Sequence, residues 1–456
     1  MDNAMAQAPV NRIMLKTGVP MILSMMLQAL YNIVDSAFVS NMEGTGEAAM
    51  NALTLAFPIQ MLMVALGIGT GVGVNVLTAQ SLGRGDRETA SRAAGNGLFL
   101  CAALTAVFVL FGIFGAQPYA ATQTDNAQIL GMTVTYLRIC CCGSVGLMFF
   151  SAYEKLLQAT GRSLFSTIAQ VSGAVVNIIL DPIMIYGLCG FPKMGVAGAA
   201  LATVIGQVAS MAVGLAFHLA KNKEIDHSLR YTVPSARIIG RIYSIGLPAI
   251  IAQALMSVMT YGLNLILVKL SENAVTAYGL YYKVQQFVLF AAFGLRDAIT
   301  PIVSYSYGMG SKKRISDGIR WGLIYTTAIM AAGIIIVEAA ALPLTAMFGL
   351  SGETARLFLG AARIASAAFI FAGVNIALQG VFQALGGGVE SLVISVCRQL
   401  VFVLPPAWAI ASACAGNTAA SWQVWAVFPA AELLTAAIAL LMLKGIRKRR
   451  FAALSD

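Results

Sequence analysis

The chain is 456 residues long, 59% of them hydrophobic and 11% Asp, Glu, Lys or Arg, with a formal net charge of +10. Soluble domains carry about 25% charged residues, so a soluble globular protein is excluded and the composition is that of a polytopic membrane protein. The positive balance does not indicate nucleic acid, because its placement along the chain is that of a topology signal.

Apolar runs at 17–40, 52–80, 94–115, 131–154, 164–187 and 196–217, then at 243–268, 275–305, 319–342, 357–385, 391–411 and 421–443, predict twelve transmembrane helices. Each is about 20 residues or longer, enough to cross a hydrocarbon core of about 30 Å. The first run, GVPMILSMMLQALYNIVDSAFVS, is too long for a signal-peptide core and lacks a small-residue cleavage site, so it is read as a span. Its Ser24, Gln28, Tyr31 and Asp35 follow i, i+4, i+7, i+11 spacing and share one helix face.

The fourth run holds Cys140, Cys141 and Cys142 and ends in Glu154–Lys155, read as a solvated or snorkelling pair. The seven cysteines lack metal-ligand spacing, and His218 and His227 are the only histidines. No zinc site is expected, and the cysteines are read as packing or lipid-facing residues. The fifth run, VSGAVVNIILDPIMIYGLCG, is apolar except for Asn177 and Asp181, one turn apart and followed by Pro182. Gln170 extends the same face, and the sixth run repeats the spacing with Thr203, Gln207 and Ser210.

In the second half Gln253, Asn264, Tyr281 and Lys283 are, with Gln170 and Gln207, the candidate lining of a substrate cavity. Arg296–Asp297 reads as a structural pair. Glu338 and Glu432 are expected to pair across helices with Arg138, Arg363 or Arg398, since an unpaired intramembrane charge is costly.

Alternate loops collect the basic residues. One side has Arg12, Lys16, Arg84, Arg87, Arg92, Lys155, Arg162, the run from Lys221 to Arg241, Lys312–Arg314, Arg320 and the tail from Lys444 to Arg450; the other has only Lys193, Lys269 and Arg356. Both termini are therefore expected in the cytoplasm, in an inner (plasma) membrane protein whose basic loops meet lipid headgroups.

The longest cytoplasmic loop, 218–242, separates residues 1–217 from 243–456, and the halves repeat. TGVPMILSMMLQ at 17–28 matches IGLPAIIAQALM at 245–256. QSLGRGDRETASRAAGNGLF at 80–99 lies over YSYGMGSKKRISDGIRWGLI at 305–324, and LLQATGRS at 156–163 over VFQALGGG at 381–388. Six spans per half put both halves in the same orientation, the arrangement of parallel-repeat transporters that bind substrate between the halves near the midplane. The predicted fold class is therefore all-α and polytopic, with twelve helices in two parallel six-helix repeats forming two lobes.

A carboxylate at the centre of a span costs about 2.5–3.5 kcal/mol on insertion scales. Asp35 and Asp181 can share a proton, or with oxygen from Asn177 and Thr203 hold a hard cation such as sodium. Pro182 frees backbone carbonyls that can join them. The second half has FVLPPAW at 402–408 in place of NIILDPI, and Leu263 opposite Asp35, so the ion chemistry is expected in the first half alone. No nucleophile or metal constellation suggests an enzyme, and no GxxxxGK[ST] loop suggests ATP-driven transport.

These features resemble the multidrug and toxic compound extrusion (MATE) family: Pro20, Gln28 and Asp35 in the first span, QSLGRGD at 80–86, LQATGRS at 157–163, NIILDP at 177–182 and FPAAELL at 428–434. The resemblance covers essentially the whole chain. It implies a secondary antiporter that exports organic, often cationic and aromatic compounds in exchange for protons or sodium, needing no other cofactor. By the same resemblance Asp35, Asn177, Asp181 and Thr203 are ion-coupling residues, Pro20 a helix-bending proline, and Tyr31 and Gln28 neighbours of the site. Acids that some relatives carry in the seventh and tenth spans are here Met256 and about Ala372. Two lobes in one chain suffice as a monomer with no obligatory protein partner. A lipid-linked oligosaccharide flippase is the alternative of related architecture, but few basic residues lie mid-span.

Overall fold

The computed structural model describes residues 4–414, 421–452 and 454, with backbone only at Asn32, Ile33 and Ser36. Among these residues every regular element is helical. Lipid supplies no hydrogen bonds, and a helix satisfies each backbone group within its own segment. Eleven helices among the described residues are long and apolar enough to cross a membrane. The fourth span is the pair Ala127–Cys142 and Val145–Ala159, bent by 45°. All twelve predicted runs are found.

In chain order the first three spans are Val10–Ser40, Gly46–Gly83 and Arg87–Ala121. After the bent fourth come Ser163–Tyr186, Val196–Lys221, Ala236–Leu267, Glu272–Gly308 and Lys312–Met347. The last three are Gly352–Ala384, Gly388–Ala413 and Ser421–Phe451. Several outrun their apolar cores because polar ends continue the helix past the point where hydropathy falls.

The chain divides into two compact units. One, here the N-terminal unit, is Leu23–Ile250; the other, the C-terminal unit, joins Met1–Ile22 to Ile251–Asp456. Both crossings fall inside a helix, two residues beyond Pro20 in the first span and two beyond Pro248 in the seventh. Glycines explain the packing around them. At Gly69 a Cβ would collide with Ile250 and the carbonyl of Gly246, and at Gly294 with the backbone of Met21 and Ile22. The start of the seventh span thus lies on the second, and the start of the first span on the eighth.

The repeat seen in the sequence governs local geometry. At an offset of 225 positions, the distance from Gly161 to Gly386, the pairs Gly85/Gly310 and Gly161/Gly386 all adopt left-handed backbone, with φ of 77°, 74°, 76° and 78°. Only glycine does so without a steric cost. Asp86 and Ser311, at the same offset, both cap the following helix, accepting from the N–H of Thr89 and of Arg314. Asp86 is held below the usual carboxylate range by the bonds from Thr89.

The loop after the sixth span is strapped to the N-terminal unit. Asn96 donates to the carbonyls of Tyr231 (3.2 Å) and Val233 (3.3 Å) and accepts from the N–H of Ser235 (2.8 Å). Glu224 pairs with Arg162 at 2.9 Å. In the C-terminal unit one large aromatic-rich core forms around Tyr278, which stacks with Trp425 and Phe428. Tyr281 belongs to this core.

Candidate functional site

Within the N-terminal unit the fifth and sixth spans meet through glycine. A Cβ at Gly173 would strike Ser210 and the carbonyl of Gly206, and one at Gly206 would strike Asn177. Small residues let membrane helices approach closely. Here the contact brings Asn177 and Thr203 together, with Asn177 Nδ2 donating to Thr203 Oγ1 at 3.5 Å.

The polar stripes of the first and fifth spans face each other. Gln170 Nε2 donates to Gln28 Oε1 at 3.0 Å, and Ser24 Oγ donates to Gln170 Oε1. Further along, the carboxyls of Asp35 and Asp181 are immediate neighbours. Tyr31 lies beside both and faces Thr203. Tyr186 Oη donates to the carbonyl of Phe38 at 2.6 Å, tying the ends of the two helices.

Asp181 is 0% exposed and Asn177 2%. Both carboxyl oxygens of Asp181, Oδ1 of Asp35 and Oδ1 of Asn177 are buried without a hydrogen-bond partner among the described residues. A buried carboxylate normally carries a cationic partner or donors to both oxygens. Unmatched acceptor oxygens of this kind can be met by a proton on one carboxyl or by a hard cation ligated by oxygen.

Asp35, Asn177, Asp181, Thr203, Tyr31, Gln28 and Gln170 thus lie along facing stripes of the first, fifth and sixth spans within one unit. Gln207 backs onto Gly146 of the fourth span. Pro20 lies inside the first helix just before the crossing between units. Gln253 and Asn264 are half-buried on the seventh span, and Lys283 is exposed on the eighth. Tyr281 is fully buried with Oη 3.1 Å from Ser366 Oγ, so it serves the packed core.

The sequence reading missed Tyr136 and Cys140 of the fourth span, which lie next to Asp35. Gln60 of the second span donates to Tyr136 Oη at 2.9 Å. A single tyrosine or glutamine in an apolar run has no spacing to distinguish it. Lys155 also departs from expectation. It is 3% exposed, its stem lies on Gly71, and its Nζ donates to Gln158 Oε1 at 3.0 Å, so it is a buried group and not a solvated one. The expected pairing of Arg296 with Asp297 (3.0 Å) and of Arg398 with Glu432 (2.6 Å) is observed.

The MatE family model matches residues 20–183 and 248–409, one match in each half. The chain belongs to the MatE family. Its similar relatives include the "Multidrug export protein MepA" of Staphylococcus saprophyticus subsp. saprophyticus, 25% identical over 437 residues that make up 96% of this chain and 94% of the relative. The protein of the same name from Staphylococcus aureus (strain bovine RF122 / ET3-1) is 24% identical, covering 97% and 95%.

Among solved structures, an "outward-facing conformation of a multidrug resistance MATE family transporter of the MOP superfamily" superposes with a TM-score of 0.90 at 22% identity, over 97% of this chain and 98% of that one. A MOP superfamily transporter from Pyrococcus furiosus gives 0.85 at 23%, over 99% and 98%. The two-lobe, twelve-helix fold is that of this MatE family, whose members are membrane transporters and not enzymes.

Proposed function

We propose that this MatE protein is a secondary antiporter. It exports organic compounds, cationic and aromatic ones above all, and is driven by the inward flow of protons or sodium ions through Asp35 and Asp181. The observation that carries this reading is the adjacent pair of buried carboxyls with unmatched oxygens and no basic partner among the described residues. Two ionised carboxylates in a dry interior cost several kcal/mol each unless a proton or cation joins them. The resting partner is therefore the coupling ion.

In the cycle, an ion entering from outside neutralises Asp35 and Asp181, and the first helix, held to the fifth through Gln28 and Gln170, repacks and favours substrate release. Loss of the ion to the cytoplasm restores a charged site, which favours the state that binds an organic cation. Coupling needs only that ion and substrate prefer different states. The names of the relatives, which describe multidrug export, support the substrate class. The basic loops support an inner-membrane protein with both termini in the cytoplasm, functional as a monomer.

The test is ethidium efflux from proteoliposomes under an imposed proton or sodium gradient. One gradient should drive transport in the wild type, and Asp35→Asn or Asp181→Asn should reduce it to the level of protein-free liposomes while folded protein is retained. Transport that ignores both gradients, or survives both substitutions, would falsify the proposal.

A further inference from the structure

Two cations outside the ion site, Lys155 of the fourth span and Arg296 of the eighth, fill the same place in the two units from opposite helices. At the 225-position offset Gly71 falls on Arg296 and Lys155 on Gly380. In the N-terminal unit the lysine of the fourth span lies over the glycine of the second, and a Cβ at Gly71 would stand 2.8 Å from Lys155 Cγ. In the C-terminal unit the helices exchange roles. The arginine of the eighth span lies over the glycine of the tenth, and a Cβ at Gly380 would stand 2.8 Å from Arg296 Cγ.

The neighbours correspond as well. Asn75 and Thr300, at the same offset, donate to the carbonyls of Lys155 (3.0 Å) and of Gly380 (3.5 Å). Each cation ends on a polar tether. Lys155 Nζ donates to Gln158, whose Nε2 donates to Glu154 Oε1 at 3.0 Å, and Arg296 pairs with Asp297 at 3.0 Å. A cation inside a span is costly, yet both units carry one here.

The opposite faces of the second and eighth spans show what the arrangement supports. Residues four apart share a side of a helix, and residues two apart point to opposite sides. Gly67 and Gly71 face the fourth span, whereas Gly69 and Gly73 face the start of the seventh, at Gly246, Ile250 and Ile242. In the C-terminal unit Arg296 faces the tenth span, whereas Gly294 faces the start of the first, at Met21 and Ile22. The second and eighth spans thus each lie between a neighbour and a helix that changes unit just beyond Pro248 or Pro20.

We propose that Lys155 and Arg296 are positioning residues for transport. Each locks the second or eighth span to the fourth or tenth, and so gives the crossing helix a rigid seat against which to bend. The seat requires one long cation over one glycine, supplied by either helix. It rests on the transporter reading alone and holds whichever ion drives transport.

The test is exchange of labelled for unlabelled ethidium across proteoliposomes at equal concentrations, with no ion gradient, beside equilibrium ethidium binding in nanodiscs. Lys155→Gly should slow exchange about tenfold and leave the ethidium Kd within about twofold. The double variant Gly71→Lys/Lys155→Gly gives this unit the arrangement of the other, and should recover exchange to within about threefold of wild type. Arg296→Gly, with its own double variant Arg296→Gly/Gly380→Arg, serves if the first pair does not fold. A folded double variant no faster than its single variant, or a loss of binding that matches the loss of exchange, overturns the proposal. Amide hydrogen exchange over residues 242–250 needs no substrate, and should quicken about threefold or more in Lys155→Gly and return in the double variant. No change there also overturns the proposal, whereas a protein that shows this change but moves no ethidium sinks only the exporter reading.

Discussion

The two units solve the problem of a buried acid in opposite ways. In the N-terminal unit the fifth and sixth spans touch through Gly173 and Gly206, and Asp181 and Asp35 are left with unmatched oxygens. At the 225-position offset Gly173 falls on Arg398 and Gln207 on Glu432. There the C-terminal unit places an ion pair where its counterpart has a glycine and an amide, and its half-buried acid is fully engaged, with the buried Arg398 at 2.6 Å and Asn375 on its other oxygen. One duplicated framework thus holds an open pair of carboxyls in one unit and a closed arginine–carboxylate pair in the other. The acid of the C-terminal cluster carries its cation with it, whereas the two acids of the N-terminal unit have no basic partner among the described residues.

The largest effect expected from breaking this contrast is on stability. Glu432→Ala leaves Arg398 buried without its partner and should cost about 3–5 kcal/mol, read as a fall in melting temperature of the detergent-purified protein. Asp181→Asn, which removes a charge that has no protein cation, should leave the melting temperature unchanged or raised. An equal loss in both variants would erase the distinction between the units.

Gly173→Ala should come next. The added methyl meets Ser210 and the Gly206 carbonyl, so overpacking of about 1–3 kcal/mol is expected, together with slower ion-driven transport as Asn177 and Thr203 separate. If transport is kept while stability falls, the close approach is structural only. Smaller again, Gly85→Ala and Gly310→Ala should each cost about 1–2 kcal/mol from left-handed backbone alone, because nothing lies within 4 Å of either added methyl. Equal losses in thermal melts sharpen the repeat, and unequal ones show that the units bear strain differently. Least of all, Arg92→Ala removes an exposed pair with Glu88, whose side chains are 52% and 66% exposed, and should change stability by less than about 0.5 kcal/mol.

Much of this was legible along the chain. Stripes such as Ser24–Gln28–Tyr31–Asp35 can be read because helical spacing puts them on one face before any partner is known. The stripes of the first and fifth spans do meet, through Gln28 and Gln170. Gly85, Gly161 and their counterparts could be matched because a left-handed turn accepts few other residues. The burial of Lys155 could not be foreseen. It depends on Gly71 of another span leaving space for the lysine stem, and no local pattern encodes a gap in a neighbouring helix. Tyr281 likewise looked polar in YGLYYKVQQF, yet Ser366, far along the chain, satisfies its hydroxyl within the core.

The amino-acid sequence by itself determined twelve helices, their duplication and the polar faces they carry, because hydropathy, helical period and glycine conformation are local properties. Only the tertiary structure decided which acid is paired and which is open, and that each repeat's first helix changes unit just beyond its proline. Those outcomes depend on how closely backbones of different helices approach, which is set by residues in separate spans, from about thirty to more than two hundred positions apart, acting together.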